Sequence, residues 1–136
     1  GVENFNASFS EYNEEEFRRA ASETISKFPN VKVVATTLRD VKSASRHDLS
    51  AVCFAGDKVF KANDFTDLEA LDRVGSGDAF AAGLIYGTLT NKDFQFSINC
   101  ALANAALTLT TLGDGSAATL SEIEKLTQSR RLNLSR

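Results

Sequence analysis

The residues best suited to chemistry lie in one stretch, Asp72-Arg73-Val74-Gly75-Ser76-Gly77-Asp78-Ala79-Phe80, where two glycines and an aspartate precede an apolar run. Glycine lets a backbone come close to a ligand. The successive amides of Gly75, Ser76 and Gly77 at a helix N-terminus, reinforced by the helix dipole, suit phosphate oxygens or the charge that develops in phosphoryl transfer. Asp78 then falls in the first helical turn. A carboxylate there can accept the proton of an attacking hydroxyl and hold that hydroxyl in line with a γ-phosphate. On spacing alone, a tight turn at Gly75 and Gly77, with Asp78 serving the helix dipole, accounts for the same letters. The stretch lacks the lysine of a GxxxxGK[ST] phosphate loop, and its spacing is not that of a GxSxG elbow.

Such a loop needs a strand and helices to hold it. Asn13 to Phe28 reads as a helix, with Asn13 as N-cap, three glutamates in the first turn, and Phe17, Ala20, Ala21, Ile25 and Phe28 at helical spacing. Pro29-Asn30 stops it. Val31 to Thr37 is a β-branched run, the pattern of a buried strand in a parallel sheet. Polar residues from Arg39 to Asp48 read as a loop, and Leu49 to Phe54 with Lys58 to Lys61 flank Gly56-Asp57 as a β-hairpin. Two buried helices are expected, from Asp78 to about Leu89 and from Phe94 to about Leu112. Gly113-Asp114-Gly115 breaks the second, and a last amphipathic helix opens at Ser121, capped by Ser121 or Thr119.

Composition narrows the functional classes. With 136 residues, 43% of them hydrophobic and 24% charged, the chain is long enough for one compact core. A net charge of −3 gives no footprint for nucleic acid or an anionic membrane. The longest apolar stretches fall short of the roughly 18 residues needed to cross a bilayer, so the expectation is a cytoplasmic protein with no membrane partner. Cys53 and Cys100 form no CxxC pair and read as buried small hydrophobes. His47 reads as a solvated loop residue, and Arg130-Arg131 as a solvated tail. The lack of methionine and the start at Gly1-Val2-Glu3-Asn4 suggest a piece excised from a longer chain.

Asp72 to Ile85, reading D-R-V-G-S-G-D-A-F-A-A-G-L-I, resembles the C-terminal signature of the PfkB (ribokinase-like) sugar kinases. Its D-R-V-G opening is most similar to the 2-keto-3-deoxygluconate kinases. The likeness extends to Thr36-Thr37-Leu38-Arg39 at a strand end, to the Ala-Asn-rich helix through Asn104, and to the loop at Gly113 to Ser116. It spans essentially the whole chain but omits the family's N-terminal half. The fold it implies is α/β, the C-terminal part of a ribokinase-like domain, with a parallel sheet, an antiparallel hairpin edge and packed helices.

The resemblance also implies roles. Asp78 would be the catalytic base, and the amides of Gly75, Ser76 and Gly77 the anion hole. Thr36, Leu38 and Arg39 would border the nucleotide phosphates or ribose. Ala103, Asn104 and Leu107, with the loop from Thr111 to Ser116 including Gly113 and Gly115, would wall the adenine. Asn104 would otherwise be an ordinary capped or solvent-facing helix polar residue. Arg73 replaces a small residue common in the signature and could be a surface ion-pair member, and Arg39 stands where many members have glycine.

ATP and magnesium are the implied cofactors, with a small-molecule sugar or sugar acid, 2-keto-3-deoxygluconate first, as acceptor. A monovalent cation stays open. Fructose or ribose as acceptor, or an inert nucleotide-binding module, are the alternatives. Asn13-Glu14-Glu15-Glu16 matches the letters of the family's N-x-x-E motif, but its place in a capped first turn reads as helix cap, and Glu3 competes for that role. Without the other half, the isolated chain is expected to lack sugar kinase activity and to self-associate through the exposed edge of the Val31 to Thr37 strand.

Overall fold

The computed structural model describes residues 7–113 and 115–128. Asn13 opens the first helix, α1 (Glu14–Lys27), as its side chain accepts from the Glu15 and Glu16 amides at 2.9 and 3.2 Å. The N-x-x-E letters are therefore occupied as a cap. Glu3, Asp114, Arg130 and Arg131 lie outside the described residues.

Four strands follow: β1 (Val33–Val41), β2 (Arg46–Ala55), β3 (Lys58–Lys61) and β4 (Phe65–Glu69). The expected parallel sheet is corrected here, since β2 pairs antiparallel with β1, β3 and β4 and every described pairing is antiparallel. The expected Arg39 to Asp48 loop is corrected too. Strand β1 runs on to Val41, β2 starts at Arg46, and only 42–45 turn the chain. Its two aspartates are held by specific partners. Asp40 accepts from the Ser8 hydroxyl and the Phe9 and Ser10 amides, and Asp48 accepts from the Asp67 amide and pairs with Lys42 at 2.9 Å. His47, expected to be solvated, is fully buried.

Alternation along β2 divides the core into two layers. Leu49, Ala51 and Cys53 face the helices α2 (Ser76–Leu89) and α3 (Phe94–Leu109), while Val52 and Phe54 face Phe17 and Ala21 of α1. Helix α3 is buried along nearly its whole length, and each fully sequestered side chain such as Ile98 or Leu102 contributes about 1.5–3 kcal/mol. It begins at Asp93, whose carboxylate accepts from the Phe96 amide at 2.7 Å, and ends at Leu109 rather than Leu112.

Helices α2 and α3 touch almost backbone to backbone at Gly83 and Gly87, where a methyl group would meet Ala101 and Ser97. Helix α4 (Leu120–Gln128) is capped by Thr119, which exchanges bonds with Glu122 in both directions. Cys53 and Cys100 are buried free thiols, one in the sheet and one in α3, and burial pushes both up to about 11. No helix among the described residues is long and apolar enough to cross a membrane.

Candidate active site

The 70–75 segment crosses from β4 to α2 and is pinned before it arrives. The amides of Leu71 and Asp72 donate to the Leu109 carbonyl at the end of α3. Asp72 then folds the segment on itself by accepting from the Val74 amide at 3.0 Å, and reaches across to the Gly113 amide at 3.3 Å. Those backbone donors hold its carboxyl below the ordinary carboxylate range. Gly75 sits at φ 80°, a left-handed conformation that glycine adopts at no steric cost, and it serves as N-cap of α2 without any side-chain cap.

The consequence is an open helix start. Ala79 is the first amide to join the helical ladder from the cap, donating to the Gly75 carbonyl at 2.9 Å. The amides of Ser76, Gly77 and Asp78 come before that ladder begins. Ser76 and Gly77 line a cavity of about 390 Å³, which Thr37 and Arg39 of β1 also line. Leu49, Ala105 and Leu109 form its apolar side. Asp78 is exposed in the first turn, and its carboxylate makes no side-chain hydrogen bond or ion pair among the described residues. An uncapped helix N-terminus and a cationic side chain thus line one cleft, and the exposed Asp78 carboxylate follows the cleft-lining Gly77 in the first turn of α2.

The remaining sequence-chosen residues divide. Arg39 is at the cleft, but Leu38 is fully buried in the layer under α1, and Thr36 shares its face of β1. They stand in mid-strand rather than at a strand end. Strand alternation puts Thr37 and Arg39 on one face of β1, and that face turns to the cleft. Ala103 is buried within the α2/α3 core and Leu107 is nearly so. Gly113, at φ 102°, is tied to Asp72, whereas Gly115 is exposed with open space around it. Arg73 is exposed and forms no ion pair among the described residues.

Asn104 is neither free nor solvent-facing. Its Nδ2 donates to the Ala79 carbonyl in the first turns of α2 at 2.9 Å, and its Oδ1 accepts from the Ser116 hydroxyl at 2.8 Å. It therefore braces α3 against both α2 and the following loop. Replacing it, as Asn104→Ala, is expected to lower unfolding stability by about 1–2 kcal/mol in urea titrations. Unchanged stability would show that the brace contributes nothing.

Sequence reasoning did not single out Leu49, Ala105 and Leu109. The i, i+4 spacing of Ala105 and Leu109 places them together on one face of α3, but apolar residues on a buried helix give no sign of which of them border a cavity.

The family profile described as pfkB family carbohydrate kinase matches residues 6–120. No curated protein sequence matches the chain. Among solved structures, 2-dehydro-3-deoxygluconokinase from Thermotoga maritima is 36% identical with a TM-score of 0.80, over 86% of this chain and 35% of that one. An Enterococcus faecalis protein described as a candidate 2-keto-3-deoxygluconate kinase is 25% identical with a TM-score of 0.76, over 94% of this chain and 37% of that one. A PfkB family carbohydrate kinase from Listeria grayi shares the fold at 24% identity and a TM-score of 0.76, over 89% of this chain and 37% of that one. The chain thus spans little more than a third of the length of these proteins. Since the matched region takes in the cleft-lining strand, the glycine-led helix start and the helix that braces it, the chain belongs to the pfkB family of carbohydrate kinases.

Proposed function

We propose that this chain carries the phosphoryl-transfer end of an ATP-dependent sugar kinase whose acceptor is a hydroxyl of 2-keto-3-deoxygluconate. The observation that carries the reading is the uncapped start of α2, where Ser76 and Gly77 face the same cleft as Arg39 while Asp78 stands beside it. The sugar-acid acceptor is supported by the likeness to the Thermotoga maritima enzyme and by the D-R-V-G opening of the signature.

In this reading Asp78 takes the proton of the acceptor hydroxyl as its oxygen attacks the γ-phosphorus. The bond from that phosphorus to the β-phosphate bridging oxygen breaks, and ADP leaves. The amides of Gly75, Ser76 and Gly77 stabilise the charge on the transferring group, and the Arg39 guanidinium holds the phosphate chain. Thr36 and Leu38 support that strand from behind, and Ala103, Asn104, Leu107, Gly113 and Gly115 shape the nucleotide side. Among the described residues no three His, Cys, Asp or Glu side chains group for a metal. Magnesium fits as a companion of the nucleotide phosphates rather than in a protein cage, and neutralises their charge when bound.

The test is nucleotide binding to the chain itself. ADP titrated in the presence and absence of magnesium should give saturable, magnesium-dependent amide shifts centred on Gly75 to Asp78. A flat titration would make the chain an inert folded module.

A further inference from the structure

His47 is the single histidine of the chain, and the phosphoryl-transfer reading leaves it unused. It is fully buried, and no side chain among the described residues bonds to either ring nitrogen. A sealed imidazole ordinarily donates from one nitrogen and accepts at the other.

Strand register fixes where this ring sits. His47 shares a face of β2 with the cleft-lining Leu49, whose partner across the β1 pairing is Arg39, so His47 and Arg39 are diagonal neighbours on the cleft side of the sheet. On its other flank it pairs with Leu68 of β4. The segment that presents Ser76 and Gly77 starts beside it, since the Ala70 amide donates to the Ser45 carbonyl at 2.8 Å. The charged groups acting on the ring are Arg39 from β1 and Arg73 from the 70–75 segment, while its strand partners Val41 and Leu68 bring no charge. Burial first, then these two guanidiniums, holds the ring below the ordinary histidine range, with a hydrogen bond to the Ala44 backbone working in the other direction. A neutral buried ring with no side chain bonded to either nitrogen therefore stands beside Arg39, two residues along β2 from the cleft-lining Leu49.

We propose that His47 is a positioning residue for the phosphate end of the cleft: an anion oxygen, or a water that the anion holds, completes the ring's hydrogen bonding and ties Arg39 and the 70–75 segment together. This rests on the phosphate-binding reading of the cleft. It goes further by giving the buried ring a ligand-dependent environment. An anion placed against Arg39 and Arg73 offsets their repulsion of a protonated ring, so the ring should bind its proton more tightly in the occupied site.

Inorganic triphosphate is the probe, added to the chain while the Hε1 resonance of His47 is followed as a function of pH. With one histidine present, that resonance needs no assignment. Saturating triphosphate should raise its apparent pKa by about one unit. His47→Leu should weaken triphosphate binding about tenfold, whereas His47→Gln, which keeps a donor and an acceptor, should recover most of the affinity. A pure core filler would show the reverse order, with leucine tolerated and glutamine harmful. If triphosphate binds but the His47 titration stays fixed, the inference fails and the reading of the cleft survives. If triphosphate shows no saturable binding to the unmodified chain, both are overturned. Should the leucine variant not fold, the titration of the unmodified chain decides alone.

Discussion

Asp78→Asn, placed in a complete kinase that carries this chain, should lower kcat by about 100-fold or more while KM for ATP stays close to that of the unmodified enzyme. The amide matches the carboxylate in shape and still fits the first turn of α2, where Asp78 is exposed and makes no side-chain hydrogen bond or ion pair among the described residues. Little stability is therefore at stake. What the amide cannot do is accept the acceptor hydroxyl's proton. The loss falls on the transition state rather than on contacts that bind ground-state nucleotide, which separates kcat from KM. Steady-state kinetics with varied ATP reads both terms. Near-normal kcat with Asn in place would remove Asp78 from the chemistry and leave it as a helix-dipole residue.

The largest effect on folding is expected at Gly83. A methyl group there would lie 2.6 Å from the Ala101 Cα and 2.8 Å from the Cys100 carbonyl oxygen, and both are backbone atoms that cannot swing aside. Gly83→Ala must push α2 away from α3, and should cost about 3 kcal/mol, the upper end of ordinary overpacking. That is a large part of the stability of a small domain. Gly77→Ala makes the contrast, because a methyl group at Gly77 meets nothing within 4 Å and its backbone is not left-handed. It should fold as well as the unmodified chain while obstructing phosphate approach to the amides. Urea unfolding of the two variants side by side checks the difference, and equal midpoints would show that the α2–α3 contact yields freely.

Much of this was readable from the residues. Asn13 as a cap, the tight turn at Gly75, the helix start beside Asp78 and Thr119 as one of two candidate caps each follow from local chemistry that the structure repeats. The misreadings share a cause. Periodicity treats polar residues as solvated, yet Asp40 and Asp48 lie within strands because backbone amides and Lys42 satisfy them. Strand β4 escaped because its ladder with β2 slips between His47 and Leu49, and Asp67 takes a positive φ there. Strand direction was beyond reach. A buried β-branched run such as Val33 to Thr37 reads alike whether its neighbour runs with it or against it. In the site, glycine spacing announced the open helix start at Ser76 and Gly77, but which of Thr36 to Arg39 shared its cleft depended on which face of β1 turned inward.

Cys53 and Cys100 give this architecture two internal timers. Each thiol is buried in a different layer, and burial keeps each from ionising near neutral pH, so a thiol reagent can react only after a local opening exposes it. Cys53 becomes reachable when the sheet parts from α3, Cys100 when a neighbour of α3 lifts away. The ratio of their alkylation rates therefore measures whether sheet and helices loosen as one cooperative unit or as two.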